Sequence, residues 1–292
     1  MRVVANGIGI EVDDQGPADG EPLLLIMGLG MQLIGWPDEL VQELVTRGFR
    51  VIRLDNRDAG LSQGFDKLGT PNLALAGLRY SLRLAAKSPY SLKDMAADCL
   101  GVLDALGLQQ AHVCGASMGG MIAQHLAVRH PTRVKSLTLI MTTTGARNLP
   151  QPGLRVRGAL LSRPANNSPE AVVAHLSRVF SIIGSPAYPP DAARLRERLR
   201  ASVARAWRPA GTARQLAAVM ADGDRSILVQ NLRVPTRVIH GESDPLVPAA
   251  AGRELARLIP GAEADFIPGM GHDLPTQLLP RIAQGIADNA RR

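Results

Sequence analysis

The sequence predicts an α/β protein built on a mostly parallel sheet with helices on both faces. Three observations lead there. Short apolar runs at 22–27, 51–55, 111–114, 134–140, 236–240 and 264–267 alternate with stretches of helical spacing, the order that a parallel sheet requires. The run Leu23-Leu24-Leu25-Ile26 is apolar at every position, as a strand covered on both faces is. The 292 residues are 46% hydrophobic with mean hydropathy near zero, enough for one large core or a core carrying an inserted lobe.

The elements follow in order. Residues 8–12 read as an early strand and 13–17 as a turn. The buried strand 22–27 ends in the loop Gly28-Leu29-Gly30-Met31. A helix opens at Trp36-Pro37-Asp38 and runs to about Arg47, with Leu40, Val41, Leu44 and Val45 on one face. Strand 51–55 leaves into Asn56-Arg57-Asp58-Ala59-Gly60-Leu61-Ser62. Residues 94–106 form a helix stopped at Gly107. Beyond the central strand and its helix come strands 134–140 and 236–240, a helix at 249–258, a last strand at 264–267 and a final helix.

Two stretches break the alternation. Residues 71–90 carry Leu75, Leu78, Leu82 and Leu84 among Arg79, Arg83 and Lys87. Residues 145–230 are mainly helical and broken by prolines, with the clearest helix at 191–207, where Ala192, Leu195, Leu199, Val203 and Ala206 form one stripe. The arginines of that helix read as a solvated face. Together the stretches imply a lid over the carboxyl edge of the sheet, where open α/β sheets bind ligands. The expected division is a core of 1–144 and 231–292 with a helical cap at 145–230.

The chemistry centres on Gly115-Ala116-Ser117-Met118-Gly119. A buried strand precedes this pentapeptide and a helical pattern closed by Pro131 follows it. Strand, Gly-x-Ser-x-Gly turn and helix make a nucleophile elbow. The serine sits on a strained turn, and glycines two places either side avoid collisions between strand and helix. A serine hydroxyl is too weakly acidic to attack a carbonyl unaided and needs a base, for which histidine suits neutral pH. A carboxylate then fixes the imidazole tautomer.

In this arrangement the partners come in the order Ser, Asp, His. His175 lies in the inserted lobe and His240 closes a strand, so both read as structural. His272, in the loop Gly269-Met270-Gly271-His272-Asp273, is the base; Asp273 beside it reads as exposed or as a helix cap. Asp244, in the turn after strand 236–240, is the acid, with Glu242 as runner-up and Asp222 or Asp224 behind. The turn after strand 134–140 offers no carboxylate. Backbone N–H groups of Met118 and Leu29 are the expected oxyanion donors. Gly28, Met31 and Trp36 are the expected pocket residues, with Met27, Leu33, Met118 and Met141 beside them. An apolar ester, of short-to-medium acyl chain or a methyl ester, is the expected substrate.

The remaining composition narrows partners. The net charge of +7 is largely arginine, but aromatics are 3% and no nucleic-acid motif is present, so a solvated basic face is the expectation. No apolar run reaches the length of a membrane span, and the N-terminus lacks an apolar leader core, so the expected location is cytoplasmic. Cys99 and Cys114 read as buried thiols.

These residues together resemble the α/β-hydrolase superfamily over nearly the whole chain outside the lid. Gly-Trp-Pro-Asp-Glu from Gly35 and Val-Ile-Arg-Leu-Asp-Asn-Arg-Asp-Ala-Gly-Leu-Ser from Val51 are most similar to bacterial carboxylesterases that include the aclacinomycin methylesterase type. The resemblance implies an eight-stranded sheet, a helical cap and no cofactor. It also implies that Asp55, Arg57, Asp58, Gly60 and Ser62 belong to a family turn, read as structural bracing. The family places a His-Gly pair before the oxyanion residue, where this chain has Met27-Gly28. Serine at the nucleophile position departs from the related dehalogenases and epoxide hydrolases, which use aspartate. It leaves open lactonase, thioesterase, perhydrolase and carbon–carbon hydrolase chemistry, and a slow-turnover ligand receptor on the same fold.

Overall fold

A computed structural model of the chain describes residues 1–82, 84 and 86–292. Arg83, counted above in the basic stretch, lies outside the described residues. Eight strands form one sheet: β1 (Arg2–Ala5), β2 (Ile8–Gln15), β3 (Glu21–Ile26), β4 (Phe49–Leu54), β5 (Ala111–Ala116), β6 (Val134–Ile140), β7 (Thr236–Gly241) and β8 (Glu263–Ile267). Their spatial order is β1-β2-β4-β3-β5-β6-β7-β8. From β4 to β8 neighbours run parallel, while β1 and β2 are antiparallel additions at one edge.

That edge departs from the sequence reading in two ways. The N-terminal residues form a strand of their own, joined to β2 by a turn at Asn6 (φ 51°) and Gly7 (φ 77°); Asn-Gly is the hairpin dipeptide that carries this signal. Residues 13–15, expected in a turn, continue β2 instead. Asp13 lies opposite Arg53 and Asp14 opposite Ile52 in the register, and Asp13 bonds Arg53 while Asp14 bonds Arg50. Cross-strand ion pairs hold as sheet what local propensity reads as turn.

Two apolar layers sandwich the sheet. On one face pack α1 (Asp38–Thr46) and α11 (Leu279–Ala290), through Leu40, Leu44, Ile282 and Ile286 against Leu23, Leu25 and Val51. On the other lie α3 (Leu92–Ala105), α4 (Met118–Arg129) and α10 (Ala249–Leu258), through Val102, Ile122, Leu126 and Leu255 against Leu24, Ile26 and Val113. Helix α3 begins at a capping box in which Ser91 and Asp94 each satisfy the other's backbone N–H. The leucines of β3 divide between the layers, Leu23 and Leu25 to one and Leu24 to the other, which is why the strand shows no polar alternation.

The segment between β6 and β7 carries five helices: α5 (Leu154–Leu161), α6 (Pro169–Ile183), α7 (Ala192–Arg205), α8 (Pro209–Asp222) and α9 (Ser226–Val229). Helices α5, α6 and α7 pack in succession, whereas α8 contacts α3 and α9 contacts α4 and α10. The stretch 71–90 supplies α2 (Leu73–Ser81), which packs on α8. Among the described residues no helix is long and apolar enough to cross a membrane. Both cysteines are free and buried, and burial pushes each thiol well above its ordinary range.

Candidate active site

Ser117 occupies the sharp turn between β5 and α4 with φ 54° and ψ −121°, one of four non-glycine residues with positive φ among those described. Only close packing holds a β-carbon there. The flanking glycines make room for it. A Cβ at Gly115 would stand 2.3 Å from the Gly119 carbonyl oxygen, and one at Gly119 would stand 2.0 Å from that of Ile26. The turn is fastened from β6: Thr142 Oγ1 donates to the Ser117 carbonyl at 2.7 Å.

The loops after β7 and β8 bring two more groups to the serine. His272 Nε2 lies 3.0 Å from Ser117 Oγ, and its Nδ1 lies 2.7 Å from Asp244 Oδ2. An ionised carboxylate only accepts, so Nδ1 carries the proton of the neutral ring and Nε2 is free to accept from the hydroxyl. Asp244 is buried, and its other oxygen accepts from the N–H groups of Leu246 at 2.9 Å and Val247 at 2.8 Å. His240, fully buried, donates from Nε2 to the Val247 carbonyl at 2.7 Å. Burial lowers its pKa, so a neutral imidazole braces the loop that carries Asp244.

The competing candidates are engaged elsewhere. Glu242 pairs with Arg253 at the surface, Asp224 bonds Ser226, and Asp222 is buried between His125 and Arg225. His175 is almost completely buried in α6.

Asp273 departs from its expected role as an exposed or capping residue. It is half-buried and accepts a hydrogen bond from Ser185 Oγ, just after α6. Burial raises its pKa. Ser185 Oγ in turn accepts from the Gly271 N–H at 2.8 Å, and the His272 N–H donates to the Ile183 carbonyl at 2.7 Å. The histidine loop is therefore latched to α6.

The loop after β3 lies against the serine: a Cβ on Gly28 would be 3.1 Å from Ser117 Cβ. Asn56 holds this loop by donating to the Met27 carbonyl at 2.9 Å. From α8, Gln215 accepts from the Gly30 N–H at 2.8 Å and donates to the Arg57 carbonyl at 2.7 Å. Gly30 and Met31 thus have their N–H groups occupied, Met31 by the Gly28 carbonyl, with Leu29 between Gly28 and Gly30. Met118 opens α4, where the first N–H groups have no acceptor within the helix. Nothing in the local sequence marked Gln215, Asn56 or Ser185, because each acts through a contact with a distant segment.

Of the three expected pocket residues, Gly28 abuts the serine and Met31 is partly buried against the core. Trp36 is a correction: it is fully buried in the layer with Leu40 and Leu44, because its large apolar surface packs under α1. A cavity of about 140 Å³ opens instead on the α4 side, with Met121, Thr143, Leu149, Val219, Leu246 and Tyr80 in its walls. Ser117, Asp244 and His272 do not line it; Met121 lies one turn along α4 from Ser117, and the Leu246 N–H donates to Asp244.

The turn after β4 forms the braced knot that was expected. Asp55 accepts from the N–H groups of Leu33 and Leu61 and pairs with Arg205. Arg57 pairs with Asp98, and Ser62 bonds the Asp55 carbonyl. Among the described residues no group of three or more His, Cys, Asp or Glu is placed to hold a metal ion.

The α/β-hydrolase fold family matches residues 21–275. The chain belongs to that family. Rhodomycin D methylesterases of Streptomyces peucetius and of Streptomyces sp. (strain C5) are 29% and 30% identical to it, over 94% of this chain and 92% of theirs. A meta-cleavage product hydrolase from Pseudomonas fluorescens IP01 superposes with a TM-score of 0.75 at 20% identity, covering 100% of this chain and 97% of that one. At that identity the likeness concerns the fold of the family alone.

Proposed function

We propose that the protein is a serine carboxylesterase that hydrolyses uncharged apolar esters, methyl esters among them, through an acyl-enzyme. The observation that carries this reading is the continuous Ser117–His272–Asp244 relay, 3.0 and 2.7 Å long. The Ser117 hydroxyl attacks the ester carbonyl as His272 Nε2 takes its proton. Asp244 holds the ring in its tautomer and stabilises the imidazolium. The tetrahedral oxygen accepts from the N–H groups of Met118 and Leu29. Collapse expels the alkoxide, which receives the proton from His272, and water repeats the sequence to release the acid.

Support for an ester comes from the methylesterases above, about 30% identical over nearly their whole length. Support for an apolar substrate comes from the mainly apolar cavity on the α4 side, where Met121, Leu149, Val219 and Leu246 stand with Arg225 and Thr143. Residues 145–230 act as the cap over a core of 1–144 and 231–292, with the Ser185–Asp273 contact tying the two together. Fluorophosphonate labelling tests the reading: the parent labels and the Ser117→Ala variant does not. Equal labelling of both would remove Ser117 from the mechanism.

A further inference from the structure

Helix α2 is turned inside out relative to an ordinary surface helix. Leu75, Leu78 and Leu82, spaced i, i+3 and i+7, form one apolar stripe, and they are 53%, 55% and 60% exposed. Ala76 is buried on the other side, and Tyr80 lines the cavity that Met121 and Leu246 also wall. Leu84 continues the exposed set. Helix α5 repeats the arrangement: Leu154 and Leu161 stand out in solvent on a face shared with Arg157, while Val156 and Ala159 are buried.

The two segments adjoin. Arg147 stacks over the Tyr80 ring at 5.2 Å, and Tyr80 shares the cavity wall with Leu149, Pro150 and Pro152, immediately before α5. Their charge is one-sided. Residues 67–93 hold Lys67, Arg79, Arg83, Lys87 and Lys93 with no acidic residue, and residues 145–169 hold Arg147, Arg155, Arg157 and Arg163, again with none. The chain as a whole carries 26 acidic residues against 33 basic ones, so their exclusion here is local.

We propose that this face, formed by α2 with Leu82 and Leu84 and by α5, docks the protein on an anionic lipid surface. Leucines projecting from a basic helix insert at the boundary between headgroups and acyl chains, while arginines and lysines engage the phosphates. Charge complementarity selects this occupant. A second copy of the chain would bring like charges together. Nucleic-acid binding would leave the leucines unused, and Tyr80 is already covered by Arg147. Docking in this way brings the cavity wall formed by Tyr80, Leu149, Pro150 and Pro152 near the lipid.

The inference does not rest on the esterase reading, and its test is separate. Co-sedimentation uses the full-length protein with vesicles of equal parts phosphatidylcholine and phosphatidylglycerol, or of phosphatidylcholine alone. The protein pellets with the anionic vesicles at least about tenfold more strongly than with the neutral ones, and added salt releases it. The triple variant Leu75→Ser, Leu78→Ser, Leu82→Ser loses roughly tenfold in vesicle binding while keeping the parent's circular-dichroism spectrum and melting temperature. Ser117→Ala protein binds vesicles as the parent does. Should the triple variant fail to fold, Leu161→Gln is tested alone and weakens binding in the same direction. Absence of anionic-vesicle binding overturns the proposal. So does binding that survives leucine replacement, or self-association or RNA binding that accounts for the face without lipid.

Discussion

Asp58 and Arg214 meet through two hydrogen bonds of 2.7 and 2.8 Å with neither side chain reaching solvent, joining the turn after β4 to helix α8. Burial by itself would raise the Asp58 pKa, but Arg214, the Phe65 N–H and the Tyr90 hydroxyl outweigh it and hold the carboxyl below its usual range. Breaking one side of such a pair strands a charge. Arg214→Met is expected to cost about 3–5 kcal/mol in chemical denaturation, and adding Asp58→Asn to recover part of that loss.

The same pair gives an acid limb to stability. The folded pKa of Asp58 lies below its unfolded value, so its contribution is complete above the unfolded pKa and is lost as pH falls through the folded one. Melting temperature followed from neutral pH into the acid carboxylate range should fall less steeply in the Asp58→Asn, Arg214→Met protein than in the parent.

His112 adds a second, separable component. Burial presses its pKa down to about 4, and its Nδ1 bonds Ser136 Oγ at 2.8 Å. The unfolded chain therefore binds the proton more readily, and stability rises with pH between about 4 and 6.5. His112→Asn, which can keep the Ser136 contact, should flatten that part of a melting-temperature profile.

Asp244→Asn should leave the fold intact and lower kcat on a p-nitrophenyl ester by about four orders of magnitude, since an amide donating to Nδ1 enforces the wrong imidazole tautomer. A small change with unaltered structure would argue that Asp244 does not orient His272.

Gln215 offers a test of loop positioning. It ties the Gly30 N–H to the Arg57 carbonyl, so Gln215→Leu should release the loop that carries Leu29. A drop in kcat of roughly 10- to 100-fold with little change in KM is expected. A change confined to KM would place Gln215 in substrate binding instead.

Particular residues show how far the sequence reached. The buried strands declared themselves because a run such as Leu23 to Ile26 has few other folds open to it. Ser117 declared itself because only glycines at 115 and 119 fit that turn. The strand at Arg2–Ala5 is marked in the sequence only by the hairpin dipeptide Asn6-Gly7 that joins it to β2. Residues 13–15 misled, because aspartates favour turns locally and only the distant Arg50 and Arg53 hold them extended.

The sequence alone determined the alternating core and the Gly-x-Ser-x-Gly turn, since both follow from short-range sterics and periodicity along the chain, and it singled out Ser117, Asp244 and His272, which the fold brings within hydrogen-bonding distance. Tertiary structure decided that His240 braces the loop of Asp244, that Ser185 and Asp273 latch the His272 loop to α6, and that Trp36 packs in the core. It also decided that the leucines of α2 face outward. Local preference cannot specify contacts between residues many tens of positions apart; which side of a helix is covered depends on what folding brings against it.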